Sequence, residues 1–375
     1  MVQLFGKPLE NWKNPDILYE DEFRAHMLAE FPEEMQVIDW PDLRAEFSVH
    51  EDKAKAGKGA SRTLGTWAAI LGGLGSAGVA LGSLLADDLR KWVVLLSLVA
   101  VILGVMLGVA HKVLPGRSNW LSHRIKAERL RAGYFQLILD NFELVAAAIG
   151  DAGRRPEWDQ IRAVKLPQML NRLDEDDAGD WVSWLEDGDL QRAWLTDAKP
   201  LALLERCDRA IQEAVAAPGP AQTLMERLYV QRIEVQHSFS VRATVQTLLT
   251  ASGRARIIRA LSVLTIISVP ILAFLASLAL LDGREADAIA LIAVSSGIAA
   301  ISLLVGLLDR GLSDEKDDQR YLDYKKRVAH ERKRFQDARQ LKDLENQVRA
   351  LFALEHHAYW ETRQFLLDHR NDHFL

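Results

Sequence analysis

Gly57-Lys58-Gly59-Ala60-Ser61 has the glycines and the lysine of a loop that could cradle phosphate. It lacks the first glycine of the G-x-x-x-x-G-K-[ST] pattern, and Lys58 is followed by glycine rather than by a hydroxyl residue that could reach magnesium. The segment therefore reads as a flexible basic linker. His369 and His373 stand four apart, the helical spacing that sets two imidazoles on one face for a metal, and His356 and His357 lie nearby. Zinc sites take three or four ligands, and no third accompanies this pair. The carboxylates from Asp174 to Asp177 form an acidic run rather than a placed acid/base pair. The expectation is a protein with no catalytic residue, no metal and no cofactor.

The polar sequence surrounds four apolar runs, Leu64–Ala86, Trp92–Ala110, Ala260–Leu281 and Ala288–Leu308. Each is about 20 residues, the length that crosses a bilayer core, and none contains Asp, Glu, Lys, Arg or His, which disfavours a proton relay or voltage sensor. Short polar turns, Asp87–Lys91 and Asp282–Asp287, join them in pairs. The fold class expected is an all-α membrane protein with two transmembrane hairpins, four spans in all, and charged cytosolic helical bundles. The expected divisions are residues 1–61, an N-terminal cytosolic region; 62–114, the first hairpin; 115–256, a cytosolic helical domain; 257–308, the second hairpin; and 309–375, a C-terminal helical region.

Lys and Arg flank the spans unequally. Lys53, Lys55, Lys58 and Arg62 precede the first hairpin, Lys112, Arg117, Arg124 and Lys126 follow it, and Arg254, Arg256 and Arg259 precede the second. The turns hold only Arg90, Lys91 and Arg284. The positive-inside rule then places both termini and the middle domain in the cytoplasm. The N-terminus shows no basic segment leading into an apolar one, so the first span is expected to act as the insertion signal. The single cysteine, Cys207, fits a reducing compartment, and a net charge of -6 gives no basic field for nucleic acid.

In the polar regions, periodicity predicts a helix near Glu20–Phe31 and one amphipathic helix over Trp120–Ile149. Trp158 to Trp194, with Trp181 and Trp184, reads as an acidic, Trp-rich insertion that forms either a small core or a partner-binding surface, the core being favoured. Helices follow over Leu201–Val215 and, after a stop at Pro218-Gly219-Pro220, over Leu224–Leu249. A striped, highly charged helix beyond Asp314 is one long rod or a bent pair. Within the spans, Gly78 with Gly82 and Gly104 with Gly108 form small-xxx-small faces that suit hairpin packing and oligomer contacts equally. Ser295, Ser296 and Ser302 could line a narrow water path in an oligomer, or bond back to the helices, and Pro270 is expected to kink the third span as a hinge.

The segment after each hairpin repeats a pattern. Arg124, Glu128, Arg129 and Arg131 align with Arg327, Glu331, Arg332 and Arg334, at an offset close to that between the hairpins. A two-span hairpin followed by such a helix resembles the SLATT family, the two-transmembrane effector modules that accompany SMODS nucleotide synthases and SLOG ligand-binding domains in bacterial conflict systems. The resemblance covers about 60–150 and 255–370, in tandem; the long Trp-rich insertion and the lack of a recognisable nucleotide sensor depart from it. It implies a bacterial inner-membrane effector in anti-phage defence, which oligomerises and forms a pore or disrupts the membrane on a cytosolic signal. The partners implied are lipid, copies of itself and a cytosolic signalling protein or nucleotide ligand. A non-conducting scaffold that recruits a cytosolic partner is the alternative, and a small transporter a more distant one.

Overall fold

A computed structural model describes residues 15–113, 116–178, 195, 203–245, 251–312 and 314–370. Among them every regular element is helical. Besides short 3-10 turns at Pro15–Ile17 and Ala152–Arg154, these are in chain order α1 (Asp21–Glu30), α2 (Pro32–Ile38), α3 (Pro41–Gly82), α4 (Asp87–Val113), α5 (Gly116–Asp140), α6 (Phe142–Gly150) and α7 (Arg155–Ala178). They continue as α8 (Leu203–Ala216), α9 (Pro218–Leu228), a π-helical turn (Tyr229–Glu234), α10 (Val235–Ala243), α11 (Ala251–Leu281), α12 (Glu285–Leu312), α13 (Asp314–Gln340) and α14 (Leu344–Arg370).

The chain divides into two compact units. The first takes the described residues up to Ala54 with Leu121–Val245 and Gln319–Leu367, and the second takes Lys55–Trp120, Gln246–Asp318 and the described residues from Asp368. In the first, a core is built from α2, the start of α3, α5 to α9, the π turn, α13 and α14, with Trp40, Phe47, Phe135, Phe142, Trp158, Phe335 and Phe352 all buried. The indole N–H of Trp158 donates to the Val37 carbonyl at 2.8 Å, so its polar edge is satisfied inside the core. Trp181, Trp184 and Trp194 lie outside the described residues.

Three elements depart from the periodicity reading, each for a local reason. The Gly57–Ser61 segment is neither loop nor linker, because α3 runs through it without interruption. Two interior glycines cost about 1 kcal/mol each, which a helix of 42 residues absorbs. The expected Trp120–Ile149 helix breaks at Asn141, whose side-chain amide donates to the Leu137 carbonyl at 2.8 Å, competing with helix bonding. The resulting 78° bend turns Phe142, Val145 and Ile149 into the same core as Phe135 and Leu139. Pro218 does not only stop a helix; it starts α9 at the first helical position, where its missing N–H costs nothing.

The C-terminal stripe is a bent pair, broken at Leu341-Lys342-Asp343 without any glycine. Lys342 takes a φ of 56° while Asp343 N–H reaches the Ala338 carbonyl at 2.8 Å and Lys342 N–H the Arg339 carbonyl at 3.1 Å, a Schellman end to α13. Asp343 then caps α14, its Oδ1 accepting the Asn346 N–H at 3.0 Å. Those hydrogen bonds hold its carboxyl below the usual range.

The second unit holds the apolar runs as the latter part of α3, α4, α11 and α12, four helices long and apolar enough to cross a membrane. Large side chains on them face outward: Trp92 is 66% exposed, Met106 62%, Ile266 67%, Phe274 63% and Leu303 71%. Large contiguous apolar surface is rare on soluble monomers. The bent pair α5–α6 also has the length and composition of a broken span. Its apolar residues Leu130, Phe135, Phe142 and Ile149 are buried in the core of the first unit, so they present no such surface.

Candidate functional site: two buried ionic networks

The first unit buries a chain of charges. Arg232 is raised on the π turn, where one extra residue per turn re-aims side chains and which commonly marks functional sites. Its Nη1 lies 2.6 Å from Asp16 Oδ2, and its Nε and Nη2 lie 2.6 and 3.1 Å from the two oxygens of Glu355 on α14. The guanidinium also sits 4.4 Å over the Phe135 ring. Gln236 Nε2 donates to Asp16 Oδ2 at 2.7 Å, and the Tyr324 hydroxyl donates to Gln236 Oε1 at 2.8 Å. Next along the π turn, Gln231 donates to the Tyr134 hydroxyl at 2.9 Å, and that hydroxyl donates to the Ile38 carbonyl at 3.0 Å.

On α5, Glu128 is held by Arg124 and Arg131, and Arg124 reaches Glu51 of α3 at 2.9 Å. Arg131 Nη1 comes within 3.9 Å of Asp16, which joins the two groups of charges. Burial pushes the carboxyls of Glu128 and Glu355 upward against the pull of the neighbouring guanidiniums, and raises the Tyr324 hydroxyl as well. Arginine does not surrender its proton, so the network persists only while each carboxylate keeps its cation.

The repeated pattern therefore divides. Arg124, Glu128 and Arg131 join the network, and Arg129 lines a water-sized cavity of about 30 Å³ with Arg131 and Arg232. On α13, Glu331 faces Arg334 at 3.7 Å and His357 at 3.5 Å, Arg332 donates to Glu234 of the π turn at 2.8 Å, and Arg327 is exposed. Sequence reading missed Asp16, Arg232, Gln236, Tyr324 and Glu355. The available signal was Arg232 itself, a charge interrupting the apolar face made by Leu228, Tyr229, Ile233 and Val235.

The second unit has its own network at the foot of the spans. Asp314, the first residue of α13, is fully buried and accepts Arg254 in a bidentate pair at 2.8 and 2.7 Å. Arg62 of α3 lies 3.8 Å from Asp314 and 3.7 Å from Asp317, and Arg259 pairs with Glu315. Acidic residues in the first turn of α13 also favour its helix dipole. His369 faces Asp317 at 3.6 Å and meets the Trp120 ring edge-on, while His373 lies outside the described residues. Among the described residues no group of three ligating side chains could hold a metal. Asp174 pairs with Lys126 at 2.9 Å.

Between the spans the glycines lie in contact within the chain. A side chain at Gly104 would stand 2.6 Å from the Gly72 nitrogen and 2.9 Å from the Ala68 carbonyl, and one at Gly75 2.7 Å from the Ser97 carbonyl. Gly78 faces Ser97, Gly82 faces Val94 and Gly108 is buried. Thr265 donates to Ser302 at 3.1 Å and Ser295 to the Val269 carbonyl at 3.5 Å, while Ser296 is exposed. The helix α11 continues through Pro270.

In the first unit, His50 of α3 and His123 of α5 meet Nδ1 to Nδ1 at 3.0 Å. Burial, His123, Lys126 and Lys53 together lower His50 to about 4, against a weaker opposing pull from Asp174. The unfolded imidazole titrates near 6.5, so the unfolded chain binds the extra proton first as pH falls. The stabilising neutral contact is complete above about pH 6.5 and is lost on acidification towards 4. His50→Gln should therefore lessen the fall in thermal midpoint between pH 7.5 and 5. An equal fall in both proteins would remove His50 as its source.

Neither network pairs a nucleophile with a base; both are clamps that fix helices to one another. Fold and site together define a class: a chain helical throughout its described residues, with four helices long and apolar enough to cross a membrane and an apolar-cored unit that also buries ion pairs. Compared with protein-family models, curated proteins and solved structures, the chain matches none.

Proposed function

We propose that this protein is a multi-pass effector of the bacterial inner membrane, which oligomerises on a cytosolic signal and opens a pore or a lesion, in the manner of an anti-phage defence module. The observation that carries the membrane reading is the apolar surface displayed by α4, α11 and α12. The excess of Lys and Arg beside the spans supports a cytoplasmic first unit. Continuity of α3 and α13 supports signal transfer, since residues of both helices belong to each unit. The glycine contacts and the Thr265–Ser302 bond describe spans packed within one chain, so conduction requires assembly of several chains or rearrangement of the spans. That same packing favours the second reading, a non-conducting anchor for a cytosolic partner.

Purified protein in liposomes separates the two. The effector should release an entrapped dye when Arg254→Gln and Asp314→Asn loosen the foot network, and the unaltered protein should leak less. Vesicles that stay sealed with both proteins, although the protein is inserted and oligomeric, would support the anchor instead.

A further inference from the structure

A cleft of about 440 Å³ opens between α13 and α14 in the first unit. Its volume falls within the range of small-molecule sites, about 300–1,000 Å³. Much of its charge is already matched within the protein. Arg320 donates to Glu361 at 3.0 Å and packs its guanidinium 4.9 Å from the Tyr321 and Phe365 rings, and Asp323 accepts from Lys326 at 3.2 Å. Arg327, on the same wall and exposed, is the guanidinium at the cleft surface.

The opposite wall carries His357 and Trp360. Trp360 is held in place: its N–H donates to His356 Nε2 at 2.9 Å and the Arg363 guanidinium lies 4.8 Å from its ring. A fixed indole offers a stacking surface at little entropic cost. Tyr324, buried in the wall beside the buried Arg320, donates its hydroxyl to Gln236 and so touches the network around Asp16 and Arg232.

We propose that this cleft binds a small heteroaromatic anion, its flat ring against Trp360 and its phosphate or carboxylate on Arg327. A guanidinium takes either oxyanion in a two-point contact. Glu361, which also lines the cleft, stays paired with Arg320. The site stands whether or not the protein forms a pore, because it is defined by the first unit alone.

Calorimetric titration of the full chain in detergent tests it with two probes, adenosine 5′-monophosphate for the phosphate and indole-3-acetate for the carboxylate. At least one should bind with a Kd below about 1 mM, and which one does identifies the anion. Arg327→Gln, a change at an exposed position, should weaken that binding about tenfold or more, as should Trp360→Leu, while Lys333→Gln elsewhere on α13 should leave it unchanged. A Kd above about 1 mM for both probes, or binding indifferent to Arg327→Gln, would overturn the proposal.

Discussion

Arg232→Met is expected to cost the first unit about 3–5 kcal/mol, because it strips the cation from two buried carboxylates. Asp16 is fully buried and Glu355 nearly so, and Arg232 bonds both. Methionine fills the volume beside Phe135 but leaves the charges, so the loss is electrostatic rather than a packing defect. Two further results follow from that cause. Glu355 is already pushed upward by burial, so without its cation it should take up a proton in mild acid. The variant should then regain stability as pH falls, since its folded state binds that proton more tightly than its unfolded state. Adding Asp16→Asn and Glu355→Gln to Arg232→Met should also recover much of the loss at neutral pH. Thermal unfolding of the full chain in detergent, followed by near-ultraviolet circular dichroism, reads all three; an Arg232→Met midpoint within error of the parent would refute the clamp.

Gly104→Leu should have the second large effect, in the span unit. The glycine faces the backbone of Gly72 and Ala68 rather than flexible side chains, so a new side chain can be accommodated only by separating α3 from α4. Overpacking of this kind costs about 1–3 kcal/mol and occasionally more. Gly306 supplies the control, since nothing lies within 4 Å of where its side chain would begin. Gly306→Leu should leave the detergent melting temperature unchanged while Gly104→Leu lowers it. Equal behaviour of the two would mean that α3 and α4 do not pack through Gly104.

The four long apolar helices were legible in the sequence because an unbroken apolar run is a local property, complete within about 20 residues. Bounds near Gly82, Leu281 and Glu285 follow from the same runs. Breaks set by a single side chain were not legible. Asn141 bends a helix whose apolar stripe continues on both sides, and Lys342 ends one without the glycine that would have announced it. The Gly57–Ser61 segment misled in the opposite direction, since its glycines are carried inside a longer helix.

The candidate site was read by halves. Arg124, Glu128 and Arg131 stood out because they lie within eight residues of each other and recur downstream. Asp16 is separated from Arg232 by 216 positions and Arg232 from Glu355 by 123. No short-range pattern joins residues that far apart; tertiary packing alone brings them together. The arginines before the spans were read as topology signals, and Arg62 and Arg254 also hold the acidic first turn of α13.

The central claim is that two hairpins cross a membrane with only their turns outside, and cysteine labelling measures it directly. In a Cys207→Ser background, single cysteines replace Asp88 and Asp282 in or beside the two turns and Glu157 and Lys333 in the first unit, all at exposed positions. Asp282 is preferred to its neighbour Gly283, whose φ of 71° strains any other residue. A membrane-impermeant maleimide on intact spheroplasts should label Asp88→Cys and Asp282→Cys and spare Glu157→Cys and Lys333→Cys until detergent is added. The protein should also stay with the membrane through alkaline extraction. Labelling of Glu157→Cys or Lys333→Cys in sealed spheroplasts, or release of the protein by alkali, would contradict the account.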